Sequence, residues 1–287
     1  MTAATVSAPA ASVRRDARVT FPRVLRSEWT KFYSLRSTYW TLLAAVVILA
    51  GLGALITYGI MSQEEVQLAR RAGLRRLPPG LGFDLVSISF QGINLSQLAI
   101  GVLGVLMVTG EYSTGMIRAT FAAVPRRLPV VLAKAIVMAV TTFVVMVPAA
   151  ILTFYVGQGI LGTFGGEITD PGVIRAVIGA GLYLVVIGLM GVAFGWILRS
   201  AAGAISTLVA IVIILPILVQ VIPVDWIKAA DPYLPSRAGQ AIYWVDTTLL
   251  KRFAEGSLDP WPGFALFAAY AVALLVVAAV VVKRRDA

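Results

Sequence analysis

Residues 176–198, AVIGAGLYLVVIGLMGVAFGWIL, run for 23 positions without an Asp, Glu, Lys or Arg. A hydrocarbon core about 30 Å thick needs roughly 20 helical residues to cross it, at about 1.5 Å each. In such a run, length and absence of charge decide the reading, because amphipathic periodicity is not needed where every side faces apolar surroundings. Five more runs share the property: residues 40–61, 86–109, 135–157, 203–223 and 261–282. The six predict an all-α integral membrane protein.

Composition agrees. The chain is 59% hydrophobic and 13% charged, against roughly 25% charged in soluble domains. Residues 1–21, rich in Ala, Ser, Thr and Pro and then basic, read as a disordered cytoplasmic tail with no signal peptide, because the first apolar run is too long and starts too late. Residues 22–287 read as one six-helix membrane domain. The chain has no cysteine and no histidine, which excludes disulfides, thiolate sites, imidazole ligands and histidine-based triads.

The net charge of +10 is unevenly placed. With the amino terminus inside, the inner segments carry 15 cations and 4 acids and the outer ones 9 cations and 10 acids. Lys/Arg bias in short flanking segments sets orientation, so both termini of this multi-pass membrane protein are expected in the cytoplasm. The basic charge is then a topology signal with attraction to anionic lipid, and nucleic acid is not an expected partner. Arg70, Arg71, Arg75 and Arg76, in the first outer loop, run against the bias.

Residues 22–38 predict an interfacial helix: Leu25, Trp29, Phe32 and Tyr33 fall within about 100° of arc, opposite Arg23, Ser27, Thr30, Lys31 and Ser34. In the second span Ser87, Gln91, Asn94 and Gln97 project within about 120° of one another, as two glycines continue the stripe. Amides facing lipid would be unsatisfied, so this face is expected to meet protein or a wet path; interhelical hydrogen bonding and pathway lining both remain open. Pro148 and Pro216 predict kinks. Gly188, Gly191 and Gly195 share a face suited to close helix packing. The outer segment 224–260, with Trp226, Tyr233, Tyr243 and Trp244, is expected to lie on the membrane face as short helices with its aromatics at headgroup depth.

Energy sources are limited. A phosphate-cradling loop needs a lysine after a glycine, and none of the five lysines follows one. No carboxylate falls within the six runs, so proton coupling has no intramembrane acid to use. Uphill transport would draw on another chain. Residues 110–128 could receive it, and a solvated loop with interfacial anchoring is the alternative reading of the same pattern. As a continuation of the second helix, Tyr112, Met116, Ile117, Phe121 and Val124 form one face, and Glu111, Thr114, Gly115 and Arg118 the other. Glu111 and Arg118 are about 10.5 Å apart along the axis, beyond an ordinary local pair, which leaves them free to engage something else.

Residues 110–134, GEYSTGMIRATFAAVPRRLPVVLAK, resemble the segment after the second helix in membrane subunits of type-2 ABC transporters. Residues 26–40, RSEWTKFYSLRSTYW, and 233–242, YLPSRAGQAI, resemble two further segments of the same permeases, in the same order. The resemblance implies a six-helix exporter permease with a cytoplasmic interfacial helix, a coupling helix after the second span, and a second permease chain, homo- or heterodimeric. It also implies a separate ABC ATPase subunit that binds the ATP and magnesium, so that no cofactor belongs to this chain. Glu111, Tyr112, Thr114, Gly115 and Arg118 are then the candidate coupling residues, and Ser87, Gln91, Asn94 and Gln97 the candidate path. Where many relatives have a basic residue after the glutamate, this chain has Tyr112. An enzyme is disfavoured by the lack of a base for any nucleophile in the spans; a non-transporting scaffold or sensor subunit stays open.

Reporter fusions within residues 62–83 and within 224–260 are expected to report from outside the cell. Either loop inside would overturn the topology.

Overall fold

The computed structural model describes residues 19–74, 84–222, 224–246 and 256–285. Most of the tail expected over residues 1–21 lies outside them, as do Arg75 and Arg76. Among the described residues the chain is helical, and six helices are long and apolar enough to cross a membrane: Arg36–Met61, Leu85–Ser113, Leu128–Phe164, Val173–Leu198, Ala201–Val221 and Pro260–Arg284, here spans 1 to 6. This is the architecture of an all-α multi-pass membrane protein. Each span overlaps one apolar run. Span 2 reaches past its run to take in Glu111, and span 3 to take in Lys134, because helical hydrogen bonding continues through a charged residue when that residue finds a partner.

A leading helix, Phe21–Ser34, opens with Pro22 in its first turn, where a missing N–H costs nothing. It ends at Leu35, whose backbone is extended. The interfacial helix expected over 22–38 is therefore shorter, and Arg36–Thr38 belong to span 1. The corner is tied by two hydroxyls, Thr38 donating to the Phe32 carbonyl at 3.0 Å and Tyr39 to that of Tyr33 at 2.9 Å. Val24, Glu28 and Phe32 are its buried row, packed toward span 3.

Span 4 is the axis of the bundle. In its apolar stretch 83% of residues are buried, against 22%, 28% and 22% in spans 1, 5 and 6. Spans 2 and 4 touch backbone to backbone: a Cβ on Gly104 would collide with the Gly188 carbonyl, one on Gly191 with the Gly101 carbonyl, and one on Gly195 would lie 2.9 Å from the Val108 Cβ. The glycine face of span 4 is thus packing inside the bundle. Dispersion contacts hold such a seam when lipid removes the hydrophobic drive between helices.

Span 5 contains a π turn, Ala210–Ile214, just before Pro216. The proline has no N–H to give, and the wider turn accommodates that gap. Span 3 runs on as one helix through Pro148. Beyond span 5 come the short helices Asp225–Lys228 and Pro235–Gln240, the latter packed on span 6. Trp226 and Tyr233 are exposed there, but Tyr243 is buried, edge-on to Tyr183 at 5.5 Å. Not all aromatics of this segment lie at headgroup depth, because Tyr243 is drawn into the bundle. Helix Glu64–Arg71 packs Val66 and Ala69 against Leu161 and Phe164 and leaves Arg70 and Arg71 exposed.

Gly191→Ala is expected to lower the melting temperature in detergent by an amount corresponding to about 1–3 kcal/mol of overpacking. Gly51→Ala, at a position with open space around it, should not. Equal behaviour of the two would show that the seam is not close-packed.

Candidate functional site at the basic end of the bundle

Spans 2 and 3 are joined at the end of the bundle where the leading helix also sits. The joint is made by Gly115, which adopts φ 72° and ends span 2 before a short connector helix, Met116–Ala123, begins. A left-handed residue at this point favours glycine because a Cβ would crowd the carbonyl. Thr114 closes the last turn, its hydroxyl donating to the Gly110 carbonyl at 2.8 Å. The segment 110–128, expected as a continuation of the second helix, is thus two helices with a corner.

The connector is seated from beneath. Ile117 and Phe121 are buried, and the Phe121 ring stacks on Trp196 of span 4 at 6.2 Å. Tyr112 meets the same indole edge-on at 6.0 Å. Two guanidiniums close the aromatic group, Arg127 over Phe121 at 5.1 Å and Arg199 over Tyr112 at 5.2 Å. The outward surface is Ser113, Thr114, Gly115, Met116, Arg118 and Ala119. Met116, expected on the apolar face, is exposed because the corner at Gly115 rotates it outward.

Behind the connector four charges form a closed ring. Lys134 of span 3 lies 2.6 Å from Glu28 of the leading helix and 2.7 Å from Glu111 of span 2. Lys31 lies 2.6 Å from Glu28 and 3.1 Å from Glu111. Each charge touches two of opposite sign, and the ring is neutral. Thr120 of the connector joins it, receiving from Lys31 at 3.2 Å and donating to Glu111 at 3.4 Å. Glu28, Lys134 and Glu111 are 1%, 2% and 5% exposed. Burial by itself works against the charge of the Lys31 ammonium, but the two carboxylates more than offset it and hold its pKa above the ordinary lysine value.

This corrects two expectations. Glu111 is not on an open polar face free to engage something else; it is held inside by two lysines. Nor are the spans without a carboxylate, since the helix of span 2 carries this one. Arg118, by contrast, is exposed and has no ion-pair partner among the described residues. Of the coupling candidates, Thr114, Gly115 and Arg118 lie on the surface, Tyr112 is half-buried, and Glu111 is behind.

The polar stripe of span 2 divides into three neighbourhoods. Ser87 is buried at the opposite end, bonded to Asp84 and accepting from the Val245 N–H at 2.8 Å. Gln97 is buried at mid-bundle, where its amide oxygen accepts from the Tyr183 hydroxyl at 2.6 Å. Gln91 and Asn94 bond each other at 2.8 Å, and Asn94 is exposed. The reason is a 3₁₀ stretch, Ser89–Gly92, whose tighter winding of about three residues per turn rotates Ser87 relative to Gln97. The four do not form one groove.

Sequence reasoning missed Glu28 and Lys134, whose meeting is tertiary, although Glu28 stands three residues from Lys31 on one helix face. It also missed Asp84, which caps span 2 and accepts from the backbone N–H groups of Ser87, Val245 and Asp246 at 2.8–3.1 Å. Arg175 donates to the Ile242 and Trp244 carbonyls at 2.8 and 2.9 Å. These two residues fasten the segment 241–246 over the end of the bundle opposite the ring. Among the described residues no three His, Cys, Asp or Glu gather as a metal site. No protein-family model matches the chain, and no curated protein is similar enough to match it.

Lys134→Ala leaves two buried carboxylates with one lysine between them, and is expected to destabilise the protein by about 3–5 kcal/mol. Lys134→Met combined with Glu28→Gln should recover much of that loss, because the charges that remain, Lys31 and Glu111, still pair with each other at 3.1 Å. Thermal unfolding in detergent checks both; an unchanged midpoint for Lys134→Ala would mean that the ring contributes nothing to folding.

Proposed function

We propose that the chain is the permease subunit of an ATP-driven exporter of the type-2 ABC class, set in the bacterial plasma membrane with both termini in the cytoplasm. The observation that carries this reading is the connector: a short exposed helix, cornered at Gly115, presented beyond the end of span 2 and seated on Trp196 and on the charged ring. A partner pressing on Thr114, Gly115, Met116 and Arg118 would move span 2 and span 4 together, because Ile117 and Phe121 leave no slack beneath the connector. The partner is a separate ATPase that holds ATP and magnesium; this chain, lacking a phosphate loop, takes its energy from that contact.

Within this reading the roles differ by residue. Arg118 and Thr114 meet the ATPase, Gly115 sets the corner, and Tyr112 transmits through Trp196. Glu111 holds the connector to the leading helix and to span 3. On the path side, Gln91 and Asn94 are the polar groups left on the bundle surface, where a second permease chain would enclose them. Ser87 and Gln97 are committed to partners inside one protomer and serve packing.

The chain has no native cysteine, so single cysteines at Thr114 and Arg118 are clean crosslinking handles in native membranes. They are expected to capture a P-loop ATPase, and Arg118→Ala should weaken that association by about tenfold, the scale of a well-placed interface arginine, without changing the melting temperature. The permease purified alone should hydrolyse no ATP. Failure to capture any ATPase, with Arg118→Ala silent, would favour the scaffold or sensor role.

A further inference from the structure

A cleft of about 470 Å³ opens beside the connector, lined by Pro125, Arg126, Arg127, Leu128, Pro129 and Lys283. Half of that lining is cationic and, among the described residues, none of it is acidic. Arg127 is the wall that joins its two sides, since its guanidinium donates to the Val282 carbonyl of span 6 at 3.0 Å and to that of Arg285, just past its end, at 2.8 Å. Arg126 and Lys283 are exposed and have no ion-pair partner among the described residues. Two cations therefore face one opening, Arg126 from the turn before span 3 and Lys283 from span 6.

The surface below the opening identifies the occupant. Leu128, Leu132 and Ile136 recur at intervals of four along span 3, one above the other on a single face, and all three are exposed. On span 6, Val276 and Val280 are exposed in the same way beneath Lys283. Two apolar rows thus run along the spans away from one cationic opening. A soluble phosphate would match the charge and leave both rows bare. We propose that the cleft is a site for the headgroup of an anionic diacyl phospholipid, with Arg126 and Lys283 on the phosphate and the acyl chains along the two rows. Basic pockets between membrane helices suit such headgroups, because counter-charge and chain burial act on the same molecule. The site is independent of the exporter reading.

The test is native mass spectrometry of the full-length protein in nanodiscs containing phosphatidylglycerol and phosphatidylcholine. Wild type should retain phosphatidylglycerol selectively. Arg126→Ala with Lys283→Ala should weaken retention by about tenfold or more, because both line the cleft and act on one headgroup. The charge-matched pair Arg26→Ala with Arg284→Ala, whose side chains lie outside the cleft, should change it by less than about twofold. Equal loss in both pairs would reduce the effect to diffuse surface charge and overturn the site. Competition by millimolar inorganic phosphate would assign the cleft to a free anion and also overturn it. In unmutated protein, a phosphatidylglycerol carrying a photoreactive acyl chain should crosslink to residues 128–136 and 276–283; crosslinks only elsewhere would refute the placement.

Discussion

Everything at the basic end depends on keeping three charges, Glu28, Glu111 and Lys134, out of water together, with half-buried Lys31 closing the ring at its edge. Removing an ion from water costs several kcal/mol, and one buried pair seldom recovers that. A ring of alternating sign changes the balance, because Glu28, Lys31, Glu111 and Lys134 each face two opposite charges at 2.6–3.1 Å. Such an arrangement is specific as well as cohesive. Its members come from the leading helix, span 2 and span 3, so the leading helix cannot slide by one turn without leaving a lysine or a carboxylate alone in apolar surroundings. An apolar contact would tolerate that slip; the ring does not.

The ring also explains why helix ends and apolar runs differ. A run ends at its first charged residue, but a helix ends where its backbone loses partners. Lys134 lies inside span 3 because Glu28 and Glu111 neutralise it, and Glu111 lies inside span 2 for the reciprocal reason. The six spans were legible because lipid demands a long uncharged run regardless of what packs beside it. The partners of Glu111 were not, since Lys31 and Lys134 stand 80 and 23 residues away in sequence, and no local spacing encodes that meeting. Its projection onto a polar face failed for the same reason: polarity on a helical wheel points to water or to another charge, and the wheel does not distinguish them.

The connector and the polar stripe show a second limit. Both projections assumed one helical period across a stretch where the backbone changes winding. The 3₁₀ turn at Ser89–Gly92 splits Ser87 from Gln97, and the left-handed Gly115 turns Met116 outward. Glycine at 115 was visible in the sequence, and a glycine next to the charged end of a span is a reasonable place to expect a corner. The 3₁₀ turn left a fainter trace: Gly92 is there because the backbone of span 1 approaches so closely that a Cβ would collide with the Leu49 carbonyl. That is a tertiary demand expressed locally.

Asn94 is the residue that a single protomer explains least. Ser87 and Gln97 satisfy their polar atoms within the bundle, whereas Asn94 is exposed on a span whose neighbouring Leu95 is exposed too. Its amide turns back to Gln91, and this mutual bond lowers the cost of meeting lipid without removing it, because each amide keeps further donor and acceptor capacity. A second protein surface or enclosed water would satisfy the remainder. Span 2 would then join two boundaries: at one end the corner at Gly115, where force enters under the exporter reading, and toward its other end a polar pair that a counterpart would complete. Because span 2 packs backbone to backbone on span 4 at Gly101, Gly104, Gly188, Gly191 and Gly195, a rigid displacement of one would carry the other. Under the exporter reading, force at the corner would displace the Gln91–Asn94 pair relative to whatever faces it, rather than dissipate within the helix.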